Sequence, residues 1–151
     1  MKIYRADKED LEEVNELLTE LIQDERKYDS NINQKYVVKN YYDQFINNSE
    51  CCIIVAKSYD KIVGYGFGFI ENSGEIYENK VAKLDAVFVK TEYRKQGIAN
   101  EIIKYFTNWA KEKEAKYINL TVCKANEDAR KLYEKQGFET EKLILKKRLV
   151  W

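Results

Sequence analysis

The sequence predicts an α/β (α+β) fold in which about four helices flank one twisted, mixed and mostly antiparallel sheet. Short apolar stretches with the two-residue period of strands alternate with longer stretches whose apolar residues recur every three or four positions. The predicted order is a strand, two helices, three strands, a helix, a strand, a helix and one or two strands. A meander therefore leads into a strand–helix–strand crossover, whose two strands are parallel. The chain has no proline and no linker, so we expect one domain over residues 1–151.

The first part of the chain predicts one strand and two helices. Residues 1–5 are short and alternating, as in an edge strand, and a helix with one apolar face follows them. That face carries four leucines and a valine at helical spacing: Leu11, Val14, Leu17, Leu18 and Leu21. Residues 23–32 are polar and predict a loop. A second helix is predicted over residues 34–46, which carry five apolar or aromatic side chains: Val37, Val38, Tyr41, Tyr42 and Phe45.

The middle of the chain predicts the meander. Residues 52–56 are apolar on both faces, which is typical of a covered strand. Residues 62–70 place Tyr65, Phe67 and Phe69 on one face and the glycines at 64, 66 and 68 on the other, so that another element can approach the bare face closely. The neighbouring Cys51 and Cys52 flank the apolar run, and we expect them to be buried and reduced.

The second half predicts the crossover. Residues 83–89 form a strand, residues 95–114 a helix with a buried stripe, and residues 117–123 the parallel strand. Residues 127–136 predict a further helix that ends at Gly137, a residue suited to the C-cap position. One or two strands are expected in residues 138–151, where an edge containing Trp151 would be available to a second copy of the chain.

Composition excludes several classes of function. Lys plus Arg equals Asp plus Glu at 26 each, so no global basic field attracts nucleic acid or an anionic membrane. No apolar segment approaches the roughly 20 residues of a membrane span, and the N-terminus lacks the long apolar stretch of an export signal. We therefore expect a cytoplasmic protein with neither a nucleic-acid nor a membrane partner.

The absence of histidine restricts the chemistry further. It removes Ser-His-Asp and Cys-His catalysis together with histidine-based metal sites, and the three cysteines have no CxxC spacing. We therefore expect no metal. Catalytic acids and bases must come from carboxylates, lysines and the 12 tyrosines.

The connection after the strand at residues 84–89 carries the strongest chemical signal. Gly97 opens a long helix there, and a glycine lets backbone approach a ligand without a side chain between them. The first N–H groups of a helix lack internal partners and favour an anion, and Arg94 and Lys95 add positive charge. This pattern predicts a phosphate-binding site, although a glycine used only for packing explains it equally well. The lysine-serine end of a Walker loop and the third glycine of a dinucleotide fingerprint are absent.

Three segments together resemble the GNAT superfamily of N-acetyltransferases over nearly the whole chain. Residues 89–99 are similar to its acetyl-CoA motif, a strand ending in valine, a Glu-Tyr-Arg turn and Arg/Gln-x-x-Gly-x-Gly/Ala. Residues 126–138 are similar to its second motif, Asn-x-x-Ala-x-x-Leu-Tyr-x-x-x-Gly-Phe. Residues 3–11 are similar to its first strand and helix. The chain departs from the pattern at Thr91, where proline is common, and at Ala99, which replaces the commoner final glycine.

The resemblance implies acetyl-CoA as the co-substrate. It implies that the backbone of Val87, Phe88 and Val89 pairs with the pantetheine arm like an added strand. It places the pyrophosphate among the backbone amides of the cofactor loop, which we define as Arg94, Lys95, Gln96, Gly97, Ile98, Ala99 and Asn100. Asn126 would bind the pantetheine region, Ala129 would let the second-motif helix pass close to the cofactor, and Arg130 and Lys131 would reach phosphate.

The same resemblance implies two catalytic residues. Tyr133 matches the family's tyrosine that protonates the departing thiolate, and Asp85 is the nearest match to a carboxylate base on the strand before the loop. Alternative interpretations stay open, because Tyr133 also fits a core aromatic residue and Asp85 also fits a carboxylate bonded to backbone. Ala86 further weakens the case for a base on this strand, since many relatives carry a second acidic residue there.

The acceptor is expected to be a primary amine on a small molecule, an antibiotic or a peptide. Residues 23–29 carry three carboxylates and two cations, which suits a cationic amine as well as it suits a solvated loop. Tyr36, Tyr41 and Tyr42 fit a pocket wall or a core face. Two other functions fit the sequence, namely a CoA-binding sensor or scaffold without catalysis and an unrelated nucleotide-binding domain. Relatives commonly dimerise, so a homodimer is a further expectation.

Overall fold

The computed structural model describes residues 1–72 and 74–150. Five strands are present in this part of the chain: β1 (Lys2–Arg5), β2 (Cys51–Ser58), β3 (Lys61–Ile70), β4 (Val81–Val89) and β5 (Tyr117–Asn119). Three α-helices accompany them: α1 (Leu11–Glu25), α2 (Ile98–Glu112) and α3 (Glu127–Lys135). Short 3-10 turns occur at Lys8–Asp10, Tyr41–Gln44 and Thr91–Tyr93. No helix among these residues is both long enough and apolar enough to cross a bilayer.

The strands form one sheet in the order of the sequence, from β1 to β5. The first four strands pair antiparallel, and β4 pairs with β5 in parallel. The connection from β4 through α2 to β5 is the predicted crossover, so the mixed, mostly antiparallel sheet is confirmed. This crossover places the turn after β4 at the end of the sheet where α2 begins.

One face of the sheet packs against α1. Val14 and Leu17 of this helix are fully buried against alternate residues of the central strands, among them Val55, Tyr65 and Phe67. The other set of alternate residues faces α2, which contributes a buried apolar stripe: Ile98, Ile102, Phe106, Trp109 and Ala110. The sheet is therefore covered on both sides, as the apolar run at residues 52–56 predicted.

The bare glycine face of β3 is where α2 lies. A Cβ atom built on Gly66 would come within 2.5 Å of Ile102 Cγ2, and one built on Gly68 would come within 2.5 Å of the Lys83 carbonyl oxygen and still closer to the Phe106 ring. These glycines thus permit a helix–sheet approach that any side chain would block. The predicted close approach is confirmed, and it fixes the start of α2 relative to β4.

The predicted helix over residues 34–46 is wrong, because only the 3-10 turn Tyr41–Gln44 forms there. Side chains of α1 take the backbone donors that a helix would have used. Val38 N–H donates to Thr19 Oγ1 at 2.9 Å, and Tyr42 N–H donates to Asn15 Oδ1 at 3.1 Å. The low helix propensity of the valines and tyrosines favours this exchange. The sheet is consequently flanked by three α-helices rather than about four.

The strands expected after Gly137 are also absent from the described residues, which run irregularly to Val150. A strand needs a neighbour to pair with, and β5 ends at Asn119 instead of Cys123 because its pairing with β4 stops there. Three consecutive apolar side chains of the segment after Gly137, Leu143, Ile144 and Leu145, are 79%, 82% and 89% exposed. The expected edge at Trp151 lies outside the described residues. Cys51 and Cys52 are buried free thiols, as predicted.

Candidate functional site

The backbone edge of β4 is the central feature of the site. β4 and β5 pair only through Val81–Lys83 and Tyr117–Asn119, while β4 continues to Val89. On its other side β4 stays paired with β3 as far as Val89 and Gly64. Within the described residues, the β5-facing edge from Leu84 to Val89 is therefore an open row of peptide groups beside a gap. We call this gap the β4–β5 split.

A β-bulge lies at Asp85. Leu84 pairs with Gly68 and Ala86 pairs with Phe67, so Asp85 is an extra residue without a partner on β3. The bulge changes which side chains face each layer, since Leu84 contacts the α2 side while Ala86 and Phe88 contact the α1 side. Asp85 itself is exposed at the edge of a cavity on the α1 side.

Arg94 anchors the beginning of the cofactor loop. Its Nε donates to the Val89 carbonyl oxygen at 2.7 Å, and its guanidinium lies 5.4 Å from the centre of the Phe88 ring. A guanidinium nitrogen also lies 3.5 Å from Asp24 Oδ2 on α1. The side chain of Arg94 thus ties the loop to β4 and α1.

Two left-handed residues shape the loop. Lys95 has φ of 63° and Gly97 has φ of 82°, and Gly97 is the N-cap of α2. The N–H groups of the first turn, at Ile98, Ala99 and Asn100, have no acceptor inside the helix. A Cβ atom on Gly97 would have no heavy atom within 4 Å, so the space above this turn is open. Such a turn at a helix start presents several N–H groups to one anion.

Helix α3 lies beside the loop. Gln136 Nε2 at its end donates to Asn100 Oδ1 at 2.9 Å, which links the end of α3 to the first turn of α2. At its start, Asn126 is the N-cap and its Oδ1 accepts from Ala129 N–H at 3.2 Å. The side-chain NH₂ of Asn126 is the part that this cap leaves to a ligand. Lys131 is exposed on the same helix.

Tyr133 projects from α3 into the layer that includes α2. Its ring packs edge to face with Phe138 at 5.7 Å and against the α2-side core, and the residue is half-buried. Burial, followed by the negative charge of Glu25, raises the pKa of the Tyr133 phenol to about 12. The phenol is therefore protonated at neutral pH, and it lies within electrostatic reach of a carboxylate that belongs to the opposite layer.

That carboxylate lines a cavity of about 270 Å³ between α1, the segment before β2 and β4. Its lining combines aliphatic, aromatic and acidic side chains: Leu18, Leu21, Ile22, Glu25, Tyr36, Val38, Tyr41, Tyr42, Asp85 and Ala86. We call it the acceptor cavity. Tyr42 is fixed in the wall by a 2.9 Å hydrogen bond between its hydroxyl and that of Tyr65. The sequence left a pocket wall and a core face open for the three tyrosines; all three line this cavity, and Tyr42 also belongs to the core.

Glu25 is the site residue that sequence reasoning did not single out. It was one of three carboxylates in residues 23–29, and periodicity does not distinguish them. In the structure Asp24 lies within 3.2 Å of Lys27 and 3.5 Å of Arg94, and Asp29 within 3.7 Å of Lys146. Glu25 faces the cavity instead. Burial raises the pKa of its carboxyl group, as do the neighbouring charges of Asp24, Asp29 and Asp85.

Comparison with known proteins agrees with this architecture. Residues 15–138 match the acetyltransferase (GNAT) family. An uncharacterized N-acetyltransferase of Archaeoglobus fulgidus is 30% identical over 140 residues, which cover 90% of this chain and 91% of the relative. The BH1408 protein of Bacillus halodurans, solved in a mutant form, superposes with a TM-score of 0.88 at 20% identity, covering 99% of this chain and 100% of that one.

A second similar structure was solved with CoA bound. It is the aminoglycoside N-acetyltransferase AAC(6')-Iy in complex with CoA, which superposes with a TM-score of 0.76 at 17% identity over 99% of this chain and 100% of that chain. At such identities the structural likeness shows the fold alone. The match over residues 15–138 and the archaeal relative show the family. The chain belongs to the acetyltransferase (GNAT) family.

Proposed function

We propose that the chain is an acetyl-CoA-dependent N-acetyltransferase that moves an acetyl group to a primary amine, with residues 1–151 forming its one domain. One observation carries the proposal. The open edge of β4 ends at Val89, and the connection through the 3-10 turn Thr91–Tyr93 then leads to the left-handed turn at Gly97 and the start of α2. An extended amide-containing arm and a pyrophosphate therefore have one continuous path of peptide groups. The structural relative in complex with CoA supports the choice of ligand.

The donor residues follow from this path. The backbone of Val87, Phe88 and Val89 would pair with the pantetheine arm as an added strand does. The amides from Lys95 to Asn100 would surround the pyrophosphate, and the NH₂ group of Asn126 would donate to the arm. Ala129 would leave room for the cofactor beside α3, and the exposed Lys131 would add a cation for phosphate.

Bound acetyl-CoA supplies an acetyl group activated as a thioester. Backbone N–H groups near Val87 would stabilise negative charge on the carbonyl oxygen as the amine attacks. Tyr133 would donate to the departing sulfur. A phenol with a pKa of about 12 is a weaker acid than a thiol of about 8.5, so a strong hydrogen bond to the sulfur precedes any complete proton transfer.

Tyr133→Phe tests the assignment of the acid. The variant is expected to keep the stabilisation by acetyl-CoA and to lose about 100-fold in kcat, because only the hydroxyl group is removed. Tyr59→Phe is the control, since Tyr59 is 98% exposed in the turn between β2 and β3. Thermal melts with acetyl-CoA and thiol-release rates give the two readouts. Unchanged turnover in Tyr133→Phe would show that the acid is another group.

The acceptor class is tested by thiol release with a panel of amines, including aliphatic diamines, an aminoglycoside and a peptide N-terminus. The aromatic and acidic lining of the acceptor cavity favours cationic amines over neutral ones. Stabilisation by acetyl-CoA without thiol release from any amine would instead indicate a CoA-binding sensor or scaffold. The exposed Leu143, Ile144 and Leu145 support the expected homodimer, which sedimentation measurements test.

A further inference from the structure

Glu25 is an unpaired carboxylate in a half-buried position. Its two acidic neighbours on the chain have cations within ion-pair distance, Asp24 with Lys27 and Arg94, and Asp29 with Lys146. Throughout residues 1–72 and 74–150, no lysine or arginine nitrogen lies within 4.0 Å of the Glu25 carboxylate. The carboxylate lines the acceptor cavity together with Asp85. A cation that enters the cavity therefore finds a negative charge that the protein has not neutralised.

The position of Glu25 is unfavourable for stability. It is the last residue of α1, where the helix dipole disfavours a negative charge. Acidic groups face it from its own segment, at Asp24 and Asp29, and from β4, at Asp85. A carboxylate held where its charge is disfavoured is typical of a group with a chemical task. Burial and these neighbours raise the pKa of Glu25, which makes it a stronger base than an exposed carboxylate.

The aromatic wall defines what occupies the space next to Glu25. Tyr36 and Tyr41 are partly exposed and Tyr42 is buried, and all three line the cavity together with the carboxylates. An alkylammonium ion is attracted both by carboxylates and by the faces of aromatic rings. The cavity thus combines the two kinds of group that hold a protonated amine, and it adjoins β4 beside Ala86, next to the part of the strand where the acetyl group is proposed to lie.

We propose that Glu25 is the catalytic base, and that Asp85 holds the ammonium ion in place without taking its proton. This inference rests on the proposed function. The ammonium group transfers one proton to the Glu25 carboxylate, and the freed nitrogen lone pair forms the C–N bond to the acetyl carbonyl carbon. The C–S bond breaks, and its electron pair goes to the sulfur, which takes up a proton. The second proton lost by nitrogen balances the one bound by sulfur, and Glu25 returns its proton to solvent.

The same placement couples the base to the acid. Burial is the larger cause of the raised pKa of the Tyr133 phenol on α3, and the charge of Glu25 raises it further, as it also does for the pKa of Tyr65 on β3 and of Cys123. Protonation of Glu25 removes a negative charge that raises the pKa of Tyr133. Tyr133 therefore becomes a better proton donor once the amine has lost its proton, which is the stage at which the sulfur departs.

The test compares three variants by the pH dependence of kcat/KM for an aliphatic diamine. Glu25→Gln is expected to lower kcat/KM about 100-fold at pH 7. The loss of kcat/KM in Glu25→Gln relative to wild type should shrink about tenfold for each unit by which pH rises toward the amine pKa of about 10.4, because free amine then forms without a base. Glu16→Gln, an exposed position on the same helix, is the control and should match wild type. Asp85→Asn should raise KM while keeping the wild-type pH profile.

A second readout needs no turnover. Calorimetric titration of each protein with the diamine alone is expected to show about tenfold weaker binding to Glu25→Gln and unchanged binding to Glu16→Gln. A pH profile of Glu25→Gln parallel to wild type would overturn the inference and leave the acetyltransferase standing. Wild-type protein that binds acetyl-CoA and diamine but releases no thiol would overturn the proposed function, and with it a base at Glu25. If Asp85→Asn rather than Glu25→Gln shows a loss of kcat/KM that grows toward low pH, the base is Asp85.

Discussion

Gly97→Ala is expected to weaken CoA binding about 10- to 100-fold. Gly97 has φ of 82°, and a Cβ atom there would meet no protein atom within 4 Å. The added methyl group therefore collides with no protein atom; it occupies the space through which an anion approaches the first N–H groups of α2. Losing one charge-assisted hydrogen bond costs about 1.5–3 kcal/mol, which corresponds to that range of affinity.

The cost of the same substitution to the free protein can be measured separately. An alanine in the left-handed region costs about 1–2 kcal/mol relative to glycine. Gly74 provides a matched control, since it has φ of 61°, has no heavy atom within 4 Å of its Cβ position and lies in the connection between β3 and β4. Gly97→Ala and Gly74→Ala should therefore lower Tm by similar amounts, about 2–8 °C for a chain of this size.

CoA then distinguishes the two variants. At a concentration of about 100 times the wild-type Kd, the ligand stabilises wild type by about 2.7 kcal/mol. A Kd raised 10- to 100-fold leaves about 0.4–1.4 kcal/mol of that stabilisation in Gly97→Ala. Gly74→Ala should keep the full value. Thermal melts with and without CoA measure all of these quantities. A full ligand-induced shift in Gly97→Ala would refute the placement of the pyrophosphate at this turn.

Three further predictions concern stability. Gly68→Ala should lower the free energy of unfolding by about 3 kcal/mol or more in urea titrations, because its Cβ atom would collide with the Phe106 ring of α2 and lie 2.5 Å from the Lys83 carbonyl oxygen of β4; a loss near that of Gly74→Ala would contradict the close approach of α2. Asn126→Ala should cost about 1 kcal/mol by removing the cap of α3, and an unchanged urea midpoint would disprove that role. Glu25→Gln should melt higher than wild type at pH 7. The native carboxyl group holds its proton more tightly than the unfolded one, so wild type loses stability as pH rises from about 4.3 through the raised native pKa. The difference should vanish in melts below about pH 4, and a Glu25→Gln variant that melts lower at pH 7 would contradict this sign.

The regular parts of the fold were predictable because local pattern and tertiary environment agree there. The glycine alternation of β3 predicted a bare face, and α2 packs on it. The region around Tyr42 was not predictable, since its backbone N–H groups donate to the side chains of Asn15 and Thr19, which lie at least 19 residues away. The segment after Gly137 has short apolar runs that could form strands, but an apolar run cannot supply a pairing partner.

The candidate site likewise has one part that could be predicted from the sequence and one part that could not. The cofactor loop is local in sequence, so its glycine, its cations and the helix start could be identified together. The acceptor cavity is assembled from α1, the Tyr36–Tyr42 region and the bulge at Asp85. Which of three acidic residues faces it depends on the angle at which α1 ends and on the ion pairs of the other two. That information exists only in three dimensions, which is why Glu25 emerged from the structure alone.

The proposed acetyl transfer is tested most directly by measuring both products of one reaction. The protein is incubated with acetyl-CoA and an aliphatic diamine, and free thiol and acetylated amine are quantified in the same samples, the latter by mass spectrometry. We predict one acetyl amide for each thiol released, with both products lost when the amine is omitted. Thiol release without acetylated amine, or no release despite stabilisation by acetyl-CoA, would contradict the assignment of this chain as an N-acetyltransferase.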